Sequence, residues 1–150
     1  MLRVTVAFVA ALALSYLLGS VLATQFILHE VAGLGLPVPW AVRLETTLFD
    51  LAGLARSYLP LLAVALVVAL PVAAGLVRLV PGARLAWYLA AGCAAVLALH
   101  LIMAAVLGVT GIAATRSLPG LLAQGAAGAA GGALFHALTA GRRPRAPHGA

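Results

Sequence analysis

Four apolar runs, each free of Asp, Glu, Lys and Arg, occupy most of the 150-residue chain: residues 4–28, 58–77, 85–109 and 118–140. At about 1.5 Å of rise per residue, each is long enough to cross a hydrocarbon core roughly 30 Å thick. In lipid the backbone must satisfy its own hydrogen bonds within the segment, so such runs are helices. The predicted fold is therefore an all-α integral membrane protein. It is a four-transmembrane-helix bundle spanning residues 1–141, with a short amphipathic helix in the outer loop between helices one and two.

Composition agrees. The chain is 65% hydrophobic and 8% charged, where soluble domains carry about a quarter charged residues. Nine arginines against three acids would, in a soluble chain, point to nucleic acid. Here the arginines flank the apolar runs, so their partner is the bilayer and no nucleic acid is expected. The single cysteine, Cys93, excludes an internal disulfide.

Orientation follows from the flanks. Arg3, Arg78, Arg84, Arg142, Arg143 and Arg145 lie on one side, and Arg43, Arg56 and Arg116 lie on the other with all three acids. Flanking Arg sets orientation and acids count little, so the first side is predicted cytoplasmic. Both termini then face the cytoplasm of a bacterial inner membrane, as an even number of spans requires. The basic tail, residues 142–150, is predicted disordered. The first run also imitates a signal peptide, with small residues at Gly19, Ser20 and Ala23. Its continuation through Phe26, Ile27 and Leu28 favours a retained span.

In the outer segment, Leu44, Leu48, Leu51 and Ala55 recur at helical spacing over residues 41–57. That pattern predicts a helix lying apolar side down in the outer interface, or capping the bundle mouth. Pro60 suits the first turn of the second span. Pro71, in its middle, cannot donate to the Val67 carbonyl and is the candidate kink. Gly125, Gly128 and Gly132 form a stripe on the fourth run, a close-packing face for a neighbouring helix of the same chain or of a second copy.

Gln25, His100 and Gln124 sit roughly 5, 13 and 9 Å below the outer ends of their runs. They form a candidate intramembrane polar cluster, read either as a site or as interhelical hydrogen bonding. Tyr16, Ser20 and Thr24 make a further polar seam at four-residue intervals on the first run. His29, Glu30, Arg43, Glu45, Asp50, Arg56 and Arg116 make a candidate charge cluster at the outer surface, with loop ion pairs the default reading.

A haem is not expected, because His100 and His136 differ by roughly 15 Å in depth. Cys93, His100 and Met103 share one side of the third run, and soft ligands so placed could hold copper(I). All three equally suit an apolar helix, and no cofactor or metal is predicted. Nor is there a catalytic or transport motif, so no catalytic residue is assigned. The chain reads as a structural or accessory inner-membrane subunit, associated with itself or with another membrane protein. The alternative is permeation of a small solute or proton through an oligomer.

Overall fold

A computed structural model describes residues 1–108 and 111–140. They fold into four helices: α1 (Leu2–Gly33), α2 (Trp40–Leu79), α3 (Arg84–Leu107) and α4 (Leu118–Thr139). Short 3₁₀ turns at Pro81–Ala83 and Ala113–Arg116 precede α3 and α4, and the described residues include no strand. Each helix is long and apolar enough to cross a membrane. The end of the third run at Val109 and the tail at residues 142–150 lie outside the described residues.

The helices run up and down around a closed square, α1 beside α2, α2 beside α3, α3 beside α4 and α4 back against α1. The start of α1 and the end of α4 meet. Arg3 Nε donates to the Leu138 carbonyl at 2.7 Å and Arg3 Nη2 to the Ala140 carbonyl at 2.6 Å. The start of α1 and the end of α4 therefore share one end of the bundle.

Helix α4 is packed most closely, because glycine lets its backbone touch its neighbours. A Cβ on Gly128 would overlap the Gly92 carbonyl of α3, and a Cβ on Gly92 would overlap that of Gly128. Gly132 stands equally tight on the Tyr88 carbonyl, and Gly125 faces Cys93 and Leu97. The predicted glycine stripe is thus covered by α3 of the same chain. In lipid, where apolar faces gain little from meeting each other, such backbone approach supplies the packing energy.

The separate loop helix is not seen. Residues 41–57 instead form the beginning of α2, a single 40-residue helix that continues through Pro60 and Pro71. Its buried face explains the continuity. Leu54, Tyr58, Leu62, Leu66 and Leu70 recur every fourth residue, and that stripe carries the helix upstream of the apolar run without a break. Polarity over the first three turns is inverted relative to expectation. Leu44, Leu48 and Phe49 are exposed, while Arg43, Thr47 and Asp50 turn toward α1. The reason lies on α1, which offers Thr24 and Gln25 on the matching face.

Candidate functional site

The polar seam of α1 lies inside the bundle. Ser20 and Thr24 are 0% and 1% exposed, and Ser15 and Tyr16 are also buried. Three helices converge on it at one level. From α4, Gln124 Nε2 donates to the Gly19 carbonyl at 2.9 Å. From α2, Tyr58 brings its ring beside Tyr16, with centroids 6.4 Å apart. From α3, His100 stacks on Tyr58 at 5.5 Å, and its Nε2 lies 3.3 Å from the Tyr58 hydroxyl. The phenol donates in this pair when Nε2 is the bare imidazole nitrogen. The Gln124 amide lies beside the same imidazole. Tyr58, His100 and Gln124 are 3%, 4% and 1% exposed, so this is an interior polar group.

Hydrogen bonding beside it is incomplete. Among the described residues, Ser20 Oγ and Ser15 Oγ have no hydrogen-bond partner. Buried polar atoms are nearly always paired, and each exception calls for an explanation. The glycine at position 19 belongs to the same arrangement, since a Cβ there would stand 2.9 Å from Gln124 Oε1.

Two turns of α2 above Tyr58, the seam meets a carboxylate. Thr24 Oγ1 lies 2.7 Å from Asp50 Oδ2 and 3.0 Å from the Ser20 carbonyl. A threonine hydroxyl has one proton and two lone pairs. With Asp50 ionised, Thr24 donates to the carboxylate in a charge-assisted bond. With Asp50 protonated, the acid donates to Thr24 and Thr24 donates to the Ser20 carbonyl. One set of heavy-atom positions serves both states.

The three residues of the predicted polar cluster separate. His100 and Gln124 come together, but Gln25 joins α2 instead. Its Oε1 accepts from Arg43 Nη1 at 2.8 Å, and its Nε2 donates to Thr47 Oγ1 at 3.1 Å. Thr47 Oγ1 in turn donates to the Arg43 carbonyl at 2.7 Å. The predicted outer charge cluster is divided likewise. Arg43 and Asp50 bind side chains of α1, whereas His29, Glu30, Glu45, Arg56 and Arg116 are exposed.

Cys93, His100 and Met103 do not converge. Cys93 meets Gly125 of α4, His100 meets Tyr58 of α2, and Met103 stands over Gly111. His136 packs on Tyr88, roughly 18 Å along α3 from His100. No cluster of three His, Cys, Asp or Glu side chains suited to a metal ion occurs among the described residues.

Tyr58 is the member that sequence reasoning missed, and Asp50 is one that the sequence places in the outer charge cluster and the structure places against Thr24. The signal was available. Asp50, Leu54, Tyr58, Leu62, Leu66 and Leu70 fall at one four-residue interval, which places an acid and a phenol on the buried stripe of α2. Comparison of the chain with protein-family models, curated proteins and solved structures gives no match.

Proposed function

We propose that this chain is a proton-handling membrane protein whose working site is the buried group of Tyr58, His100 and Gln124, reached through Thr24 and Asp50. The observation that carries the reading is the open hydrogen bonding of Ser20 Oγ and Ser15 Oγ beside this group inside an apolar bundle. Polar side chains that merely glue helices together close their bonds on one another. An intramembrane ionisable residue, here His100, is a candidate functional group by default. The Thr24 hydroxyl adds support, since its two acceptors accommodate either protonation state of Asp50.

A proton suits the site better than a solute. The clefts of about 620 and 280 Å³ lie elsewhere in the bundle, and the polar side chains are buried. Below Ser15 the next layer is apolar, with Ala11, Leu62 and Leu66 fully buried. Access is therefore from the Asp50 end, and passage to the other side requires the helices to move.

Reconstitution into liposomes loaded with a pH-sensitive dye tests this reading. Under an imposed potential, wild type should move protons faster than empty liposomes. His100→Ala and Asp50→Asn should each lower that flux at least about tenfold, as for loss of a positioned proton-transfer group. Identical traces from empty, wild-type and variant liposomes would sink it.

The accessory-subunit reading keeps one observation in its favour. Gln124 is level with Gly19, so α4 begins near the level of Gln25, and residues 26–33 of α1 extend about 12 Å further. The hairpin of α1 and α2 therefore projects, carrying exposed Trp40, Leu44, Leu48 and Phe49. A stoichiometric partner on purification in mild detergent, together with no flux, would make this the better account. For orientation, we propose an inner-membrane protein with both termini cytoplasmic. Reporter fusions at residue 80 and at the carboxyl terminus should report cytoplasm, and one at residue 38 periplasm.

A further inference from the structure

The bundle is open at the end where α1 begins and α4 finishes. A cleft of about 620 Å³ is lined by all four helices there. Its walls are apolar, with Phe8 from α1, Val67, Leu70 and Pro71 from α2, and Phe135 from α4. The mouth lies between α1 and α2, where Val4, Val67 and Pro71 are exposed. Higher up, those two helices are tied by Tyr16 to the Leu51 carbonyl, Thr24 to Asp50 and Gln25 to Arg43. Among the described residues no such tie joins them at this level, and the gap faces lipid.

One positive charge reaches into this cleft. Arg84, the first residue of α3, lines it beside Tyr88 and Thr139. Its Nη2 donates to Thr139 Oγ1 at 3.2 Å, and its guanidinium carbon stands 5.7 Å from the centre of the Tyr88 ring. Its Nε is buried without a hydrogen-bond partner. The three acids of the chain, Glu30, Glu45 and Asp50, all sit toward the opposite end of the bundle. No side-chain carboxylate of the described chain answers this guanidinium. The local backbone favours the same sign of ligand, because α3 starts here with no side-chain cap on its first N–H groups.

An apolar slot open to lipid, with an uncompensated guanidinium at its rim, is complementary to an amphiphile with a negative head. We propose that the cleft holds one anionic phospholipid, its phosphate on Arg84 and one acyl chain between Phe8, Leu70, Pro71 and Phe135. Guanidinium matches phosphate by paired N–H···O bonds, and the volume is within the range of small-ligand pockets. Basic pockets between membrane helices bind such headgroups by the same physics. The lipid fills the gap between α1 and α2 at this end and supplies the charge that the described residues lack there.

Detergent-solubilised protein titrated with phosphatidylglycerol or phosphatidylcholine of identical chains, and followed by native mass spectrometry, tests the assignment. Wild type should bind the anionic lipid about tenfold more tightly than the zwitterionic one. Arg84→Gln should remove that preference while leaving weak, equal binding of both lipids. Ala74→Phe, which fills the chain slot and leaves the charge in place, should weaken both lipids alike. Retained preference in Arg84→Gln, or undiminished binding in Ala74→Phe, would overturn the proposal. So would inorganic phosphate competing as well as the lipid does, since that would mark an anion site without a chain site.

Discussion

Two polar groups hold α1, about 9 Å apart along its axis, and they are built on opposite terms. At the upper one, Arg43, Gln25 and Thr47 pass hydrogen bonds around a closed ring ending on the Arg43 carbonyl. All three side chains are only half-buried. At the lower one, Tyr58, His100 and Gln124 are buried, yet the neighbouring Ser20 Oγ and Ser15 Oγ bond to nothing among the described residues. Stability alone would give the reverse. An open bond near the surface costs little, whereas a buried unpaired group costs about 1–3 kcal/mol. The ring therefore reads as a clamp. The interior group reads as something kept open for use, which is why the functional proposal rests on it and not on Gln25.

The largest expected effect separates the two directly. His100→Ala should reduce proton flux at least about tenfold, while Gln25→Ala should leave flux at the wild-type level. Equal losses in both variants would mean that the two groups act alike and that the comparison is false. Next in size is the cost of opening the ring. Arg43→Ala leaves Gln25 Oε1 without its charged donor and should lower unfolding stability by about 1–2 kcal/mol, read from thermal unfolding in detergent.

The matching change in the interior group should cost less, which is the counter-intuitive part. Gln124→Leu removes the amide's contact with the His100 imidazole and its bond to the Gly19 carbonyl, which sits inside a helix. The stability change should stay below about 1 kcal/mol, with flux lost. A loss of several kcal/mol would identify Gln124 as glue.

Four long apolar helices and the glycine face of α4 were legible because each depends on composition or spacing along one run. The spacing requires Gly128 to face a neighbouring helix, and the structure sets it against Gly92 of α3. What stayed hidden depends on how helices are shifted past one another. The apolar run beginning at Tyr58 implied a helix beginning there, and Pro60 invited the same boundary. Nothing local shows that α2 continues upstream along α1, yet that continuation places Asp50 against Thr24 and takes Gln25 to Arg43. Two of the three residues of the predicted polar cluster, His100 and Gln124, lie in the interior layer, since both are deep in their own helices. Gln25 was misplaced because depth alone does not tell which neighbour a side chain faces. The cleft at Arg84 was invisible for a similar reason, being a gap between helices whose sequences all look well packed.

The smallest effect is the most discriminating, because two terms oppose each other at Gly19. Replacing a helical glycine by alanine normally stabilises by up to about 1 kcal/mol through backbone entropy. Here the new Cβ would stand 2.9 Å from Gln124 Oε1, so the amide must withdraw from its place beside His100. A flexible side-chain end moves cheaply, but withdrawal strains the bond from Nε2 to the Gly19 carbonyl. The two terms should nearly cancel, leaving Gly19→Ala within about 0.5 kcal/mol of wild type and its proton flux several-fold lower. If the variant is instead stabilised by the full helical gain with flux unchanged, the position of the amide is immaterial. The working site would then shrink to Tyr58 and His100 alone.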